Sequence, residues 1–229
     1  MSECDPRVLA FLLTSIFENS LALKHRADLE KSSITEASRR AQGIRSVPPS
    51  DFQRLLGFPV SSAILSLMLL PYPDPAGGYL TMFQTKCFYG DTTKDEVIST
   101  TTKKKAEPPK YLQPKGMSPR LYFVRSALAK VMDLTAPLYL VEGQKKAIAA
   151  AQLGFAAVGF AGIQGWHVRG SYRLVDDFAH IPLVDRRVMI CPDGDVQSNS
   201  DVEKGAADFA EALEAAGANV QIKLLQGAA

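Results

Sequence analysis

From residue 136 onward the chain alternates short apolar runs with alanine-rich stretches, and glycines close those stretches. The apolar runs cover 137–141, 155–159, 187–191 and 219–225. The stretches 144–153 and 202–216 read as helices, with Gly154 and Gly217 as their stops. Strands alternating with helices at this spacing call for a parallel sheet flanked by helices. Ligands of such sheets gather beyond the carboxyl ends of the strands. Two of the runs end there in acid. One is Leu138-Tyr139-Leu140-Val141-Glu142-Gly143. The other is Val188-Met189-Ile190-Cys191-Pro192-Asp193-Gly194-Asp195. Alternate residues of an extended strand point the same way, so Asp193 and Asp195 can address one ion. With Glu142 they make an all-oxygen site for a hard divalent cation such as Mg²⁺, which suits phosphate chemistry. The plain alternative is that Asp193-Gly194-Asp195 is a turn.

The first half reads differently. Residues 6–18 and 32–42 have helical spacing, with capping chemistry at Ser33-Ile34-Thr35-Glu36 and Gly43 placed as a stop. Pro48-Pro49 breaks the chain, and Ser50-Asp51 is positioned to cap a short helix running to Leu56, ended by Gly57. The run 61–70 reads as one or two buried strands stopped by Pro71. After a turn-rich stretch, residues 79–86 alternate as a strand, so a hairpin is expected. Residues 90–109 are polar and rich in Thr and Lys, as a mobile loop would be.

Charge is spread unevenly despite a net +2. Basic residues dominate from Lys86 to Lys130, including Lys103, Lys104, Lys105, Lys110, Lys115, Arg120 and Arg125, and acids dominate from Asp193 onward. A basic segment beside an acidic pocket fits the processing of a polyanion with bound metal; a solvated loop is the alternative for Lys103, Lys104 and Lys105. The 3 cysteines, Cys4, Cys87 and Cys191, form no C-x-x-C, so neither a zinc ribbon nor a disulfide framework is encoded, and a reducing cytoplasm is expected. The apolar runs are too short to cross a membrane, and no signal peptide is evident.

Strand, Glu-Gly, helix, and roughly fifty residues later strand, Asp-x-Asp, helix, resembles the TOPRIM domain of bacterial-type primases, topoisomerases and a group of nucleases. The stretches Val141-Glu142-Gly143-Gln144-Lys145-Lys146-Ala147, Gly162-Ile163-Gln164-Gly165-Trp166 and Asp193-Gly194-Asp195-Val196-Gln197-Ser198-Asn199 are similar to a largely uncharacterised TOPRIM-like family of phage and plasmid replication proteins, often found beside a helicase. Upstream, Lys110-Tyr111-Leu112-Gln113-Pro114-Lys115-Gly116 and Arg120-Leu121-Tyr122-Phe123 resemble the basic segment that precedes TOPRIM in those proteins and in cellular primases. Two departures stand out. Lys145-Lys146 occupy a helix where cellular primases carry an acid, and there is no zinc ribbon.

The resemblance implies an α/β fold: a TOPRIM-like parallel sheet over 136–229, and an N-terminal α+β primase-type subdomain over 1–135 with a basic loop at 90–120. It implies Mg²⁺ or Mn²⁺ held by Asp193 and Asp195, with Glu142 as a further ligand or as the base that activates a 3′-hydroxyl. Lys110, Lys115 and Arg120 are candidates for contacting template phosphates or a nucleoside triphosphate. Lys145 and Lys146 either grip phosphate at the helix N-terminus or form a solvated face. Trp166 either stacks on a base or fills the core. Asn199 and Asp201 are candidates to support or face the metal, Ser200 and Asp201 equally read as a helix cap, which is favoured for Asp201, and His167 and His180 have no ligand spacing. The leading expectation is a primase-like nucleotidyltransferase of a mobile-element replication protein, acting on single-stranded DNA with nucleoside triphosphates. Its partner would be a replicative helicase, fused or separate. A TOPRIM nuclease and a non-catalytic DNA-binding module are the alternatives. The chain stops directly after its last predicted strand, as a piece of a longer protein would.

Overall fold

A computed structural model describes residues 6–14, 21–90, 108–193 and 200–223. They divide into two compact units. The first comprises Met1–Asp28, Gly43–Pro71 and Leu80–Met117; the second comprises Leu29–Gln42, Tyr72–Tyr79 and Ser118–Ala229. The expected mobile loop at 90–109 and the end of the first predicted helix fall largely outside the described residues.

The chain begins with helices α1 (Pro6–Thr14), α2 (Leu23–Lys31) and α3 (Glu36–Ala41). The helix expected over 32–42 is only α3. Thr35 is its N-cap, accepting the Ser38 N–H at 3.2 Å. Ser33, at φ 54, is left-handed and cannot continue a helix. The sequence reading missed α2, because its segment is mostly polar and one of its inward side chains is a histidine, His25. Strand β1 (Arg45–Val47) leads to a 3-10 turn at Pro49–Asp51 and α4 (Phe52–Leu56). Asp51 gives α4 no side-chain cap, while Gly57 closes it at φ 78, donating its N–H to Gln53.

Strands β2 (Ile64–Pro73) and β3 (Tyr79–Tyr89) form the expected hairpin, with β4 (Tyr111–Leu112) beyond it; the sheet order is β1-β2-β3-β4. Pro71 does not stop β2, which runs on to Pro73. The first core joins Val8, Leu9 and Leu12 of α1 to Leu55 and Leu56 of α4 and to Leu67, Leu69 and Phe83 of the sheet.

The second unit carries β5 (Tyr122–Phe123), α5 (Leu128–Val131), β6 (Leu138–Glu142), α6 (Gln144–Gln152), β7 (Ala156–Phe160), β8 (Arg187–Cys191), α7 (Ser200–Ala215) and β9 (Asn219–Ile222). Its sheet order is β5-β7-β6-β8-β9. β6 pairs in parallel with β7 on one side and β8 on the other, β9 continues in parallel, and only β5 runs antiparallel. The two crossovers, through α6 and α7, lead away from the centre in opposite directions, and right-handed crossovers then put the helices on opposite faces. Neighbouring residues of β7 bear this out. A Cβ on Gly159 would lie 3.2 Å from the Ala147 Cβ of α6, whereas the ring of Phe160 meets Phe209 of α7 edge-on at 5.4 Å.

A Gly159→Val side chain would collide with Ala147 and with Tyr122, whose Cβ is 3.1 Å from the ideal Cβ position. It is expected to lower unfolding free energy by about 1–3 kcal/mol in urea denaturation. In the first unit His25 is fully buried between the Ser46 and Ser66 hydroxyls, 2.8 and 3.0 Å away. Burial, partly opposed by Asp28 and reinforced by Lys86, lowers its pKa from 6.5 to about 4. The unfolded state therefore binds the proton more readily than the fold does. Stability from this group is complete above about pH 6.5 and is lost as the pH falls towards 4, by about 3 kcal/mol at most. Urea midpoints between pH 7.5 and 4.5 should slope less in His25→Gln.

Candidate active site at the central strand ends

β6 is the central strand, and β7 and β8 leave it on opposite sides. This reversal of strand order opens a crevice at the carboxyl ends, where α/β sheets take their ligands. Glu142 is the last residue of β6, and Val141 pairs with Cys191, so Glu142 and Asp193 stand at the ends of adjacent strands. The Asp193 N–H donates to Glu142 Oε2 at 2.8 Å, which ties the two ends together. Gly143 then turns the chain into α6 at φ 98, a conformation that suits only glycine, and its N–H donates to the Phe160 carbonyl at 2.8 Å. The Glu-Gly pair is thus an acid at a strand end followed by the hinge that lets the helix start.

Lys145 and Lys146 fall in the first turn of α6. Lys145 is half-buried; the exposed Lys146 forms an ion pair with Asp193 Oδ1. Gly143 provides no side-chain cap, so the leading N–H groups of α6 reinforce the positive potential at its start. Cys191 is buried just before the site, and burial pushes its thiol up to about 11, which keeps it protonated and poorly nucleophilic. Asp195 and Asn199 lie outside the described residues. Among the described residues no cluster of three or more His, Cys, Asp or Glu side chains occurs; the acids brought together here are Glu142 and Asp193.

Other sequence candidates sit elsewhere. Trp166 is fully buried and stacks on Phe209 at 4.9 Å, 8° from parallel, so it fills the core, and the base-stacking role is corrected. Arg120 is committed to Asp177: its Nε and Nη2 donate to a carboxylate that is only 1% exposed, at 2.6–2.9 Å. That carboxylate also accepts the Leu121 N–H at 2.7 Å. Arg120 therefore fixes the approach to β5 and is not offered to phosphate in this arrangement. Lys110 and Lys115 are exposed residues of the first unit, and the Lys110 carbonyl accepts the Cys87 N–H. Asp201 lies inside the first turn of α7, not before it, where its charge still complements the helix dipole. His167 is bound to Gln164 at 2.8 Å, and His180 is exposed.

The sequence reading passed over Gln144 and Asp177. Gln144, next to the Glu-Gly turn, is buried and donates to the Tyr72 hydroxyl at 2.7 Å. Its place as the first residue of the helix after that turn was an available signal. Asp177 had none, since its partner lies 57 residues away.

Residues 128–229 match a family described as Domain of unknown function (DUF3854). None of the curated proteins matches the chain. Among solved structures, the chain is similar to the DnaG catalytic core, at 17% identity over 96% of this chain and 71% of that one, with a TM-score of 0.59. It is also similar to a DnaG primase catalytic domain bound to single-stranded DNA, at 18% identity over 96% and 73%, with a TM-score of 0.58. A third likeness, at 17% identity and a TM-score of 0.59, is to the zinc-binding and RNA polymerase domains of the Aquifex aeolicus primase, of which this chain spans 53%. The fold matches that of the DnaG primase core: mixed α/β, with a parallel sheet and flanking helices. No helix among the described residues is long and apolar enough to cross a membrane.

The Arg120 assignment is testable by stability. Arg120→Met leaves Asp177 buried with only the Leu121 N–H, and should cost about 2 kcal/mol in chemical denaturation, a figure lowered because the guanidinium is about one-third exposed. An arginine reserved for DNA phosphate would leave stability unchanged and reduce the salt dependence of DNA binding.

Proposed function

We propose that this chain is the nucleotidyltransferase core of a primase-like replication protein of a phage or plasmid, making short primers on single-stranded DNA from nucleoside triphosphates. The observation that carries this reading is the hydrogen bond from the Asp193 N–H to the Glu142 carboxylate, which joins two acidic residues at the strand-order reversal of the sheet. The donor set fits Mg²⁺ or Mn²⁺, because both groups are hard oxygen ligands. Glu142 and Asp193 would hold the ion, with Asp195 two residues further along the chain. When bound, such an ion would supply positive charge against phosphates undergoing transfer.

The chain's own groups have separable tasks. Glu142 is either a ligand or the acceptor of the proton from an attacking 3′-hydroxyl. Lys145 and Lys146, at the positive end of α6, attract the triphosphate. Lys110 and Lys115 contact template or nucleotide phosphate. A replicative helicase, fused or separate, would supply unwinding.

The test combines Mg²⁺ or Mn²⁺, single-stranded DNA and labelled nucleoside triphosphates. Short primers are expected, and Glu142→Gln or Asp193→Asn should reduce their formation by about 100-fold or more, as when a group stabilising transition-state charge is removed. DNA cleavage without nucleotides would replace this reading with a TOPRIM nuclease. Tight DNA binding with neither product would leave a binding module.

A further inference from the structure

The first turn of α6 contains Gln144, Lys145 and Lys146 and no acid. This is the positive end of the helix dipole, where cations are disfavoured and acids are the usual occupants. Local preference and observed sequence therefore disagree, and such conflicts concentrate at functional positions. What offsets the conflict at Lys146 is its ion pair with Asp193. The two side chains are 46% and 51% exposed, so the pair can open into water without disturbing the core. The backbone beneath Asp193 is separately anchored, through its N–H to Glu142 Oε2. Asp193 can thus change partners while its main chain stays in place. The Arg120–Asp177 pair, with its carboxylate 1% exposed, has no such freedom.

We propose that the Lys146 ammonium is a resident cation of the site. It holds the Asp193 carboxylate when no divalent ion is bound and yields it when one binds, so that residue 146 sets the affinity for the metal. The inference rests on the reading that Glu142 and Asp193 hold that ion. Two contributions act in the same direction. The ion must displace the ammonium from Asp193, and it must approach a positive charge that remains nearby on a flexible four-carbon stem. A lysine in this place makes binding weaker and more readily reversible than the carboxylates alone would. Once released, the ammonium stays at the start of α6, among N–H groups that favour phosphate.

The experiment is a Mn²⁺ titration of the full chain, with free ion followed by electron paramagnetic resonance, for wild type, Lys146→Met, Lys146→Arg and Asp193→Asn. Lys146→Met should bind Mn²⁺ about two- to fivefold more tightly than wild type, in keeping with the strength of a solvent-exposed pair. Lys146→Arg, which keeps the charge, should stay within about twofold of wild type. Asp193→Asn should bind at least about tenfold more weakly. If Asp193→Asn weakens binding but Lys146→Met binds no more tightly than wild type, or Lys146→Arg behaves like Lys146→Met, the resident-cation inference fails and the metal reading stands. If no variant binds Mn²⁺ saturably, or Asp193→Asn binds like wild type, the metal reading fails and takes the inference with it.

Discussion

β6 is hydrogen-bonded on both sides, and its last residue is an acid followed by a glycine at φ 98. Pairing with β7 and β8 fixes where Glu142 stands, because a one-residue slip would turn every β6 side chain to the opposite face. Leu138 and Leu140 are fully buried, so such a slip would forfeit the core packing of this unit. The glycine then decides where the helix starts, and with it where the two lysines fall. The parallel register of β8 brings Asp193 to the neighbouring strand end, and one N–H closes the gap. The candidate site is therefore a consequence of how the sheet is ordered. The Glu-Gly and Asp-x-Asp signatures have their spacing because one chain must leave the central strand on one side and return on the other.

That logic explains which parts could be read from the sequence. β6, α6, β7, β8 and α7 lie within two residues of their expected bounds, because their apolar runs are buried and glycines at positive φ, Gly154 and Gly217, end the helical stretches. β5 was not legible. It is two residues long and exists because Tyr122 pairs with Gly159. α2 was hidden because a buried histidine counts as polar in any hydropathy pattern. Arg120 reads as a phosphate-binding candidate because it falls in a basic segment that resembles the one preceding TOPRIM in primases. Only the fold reveals that a buried Asp177 waits 57 residues downstream. Trp166 illustrates the limit of composition. A lone tryptophan in a glycine-rich loop suits a base or a core equally, and only its stacking on Phe209 decides between them.

Around the first turn of α6 the second unit builds a neutral polar network. Gln144 donates to the Tyr72 hydroxyl; Tyr72 meets Tyr122 edge-on at 5.0 Å; the Tyr122 hydroxyl accepts from Gln42, whose carbonyl accepts the Arg125 N–H. Burial holds both tyrosines far above their ordinary pKa, so the network carries no charge at any ordinary pH. Three distant stretches of chain, at Gln42, Tyr72 and Tyr122–Arg125, thereby fix the residue next to the Glu-Gly turn. Because the support is uncharged, it adds no net charge beside the site, where the charges are those of the lysines and carboxylates.

Burial separates scaffold charges from working ones in this unit. Arg186 is 1% exposed and spends its donors on the carbonyls of Lys130, Val131, Ala136 and Pro182, tying α5 to the entrance of β6. Arg120 and Asp177 likewise lock the approach to β5. A charge held in this way cannot be released cheaply, because its partners would be left buried and unpaired. Lys146 and Asp193 are both about half exposed, and water can take over either one. The proposed metal and nucleotide site would need charges of the second kind on a frame built from the first. Exposure, more than charge count, is what marks the start of α6 as the place where partners can be exchanged.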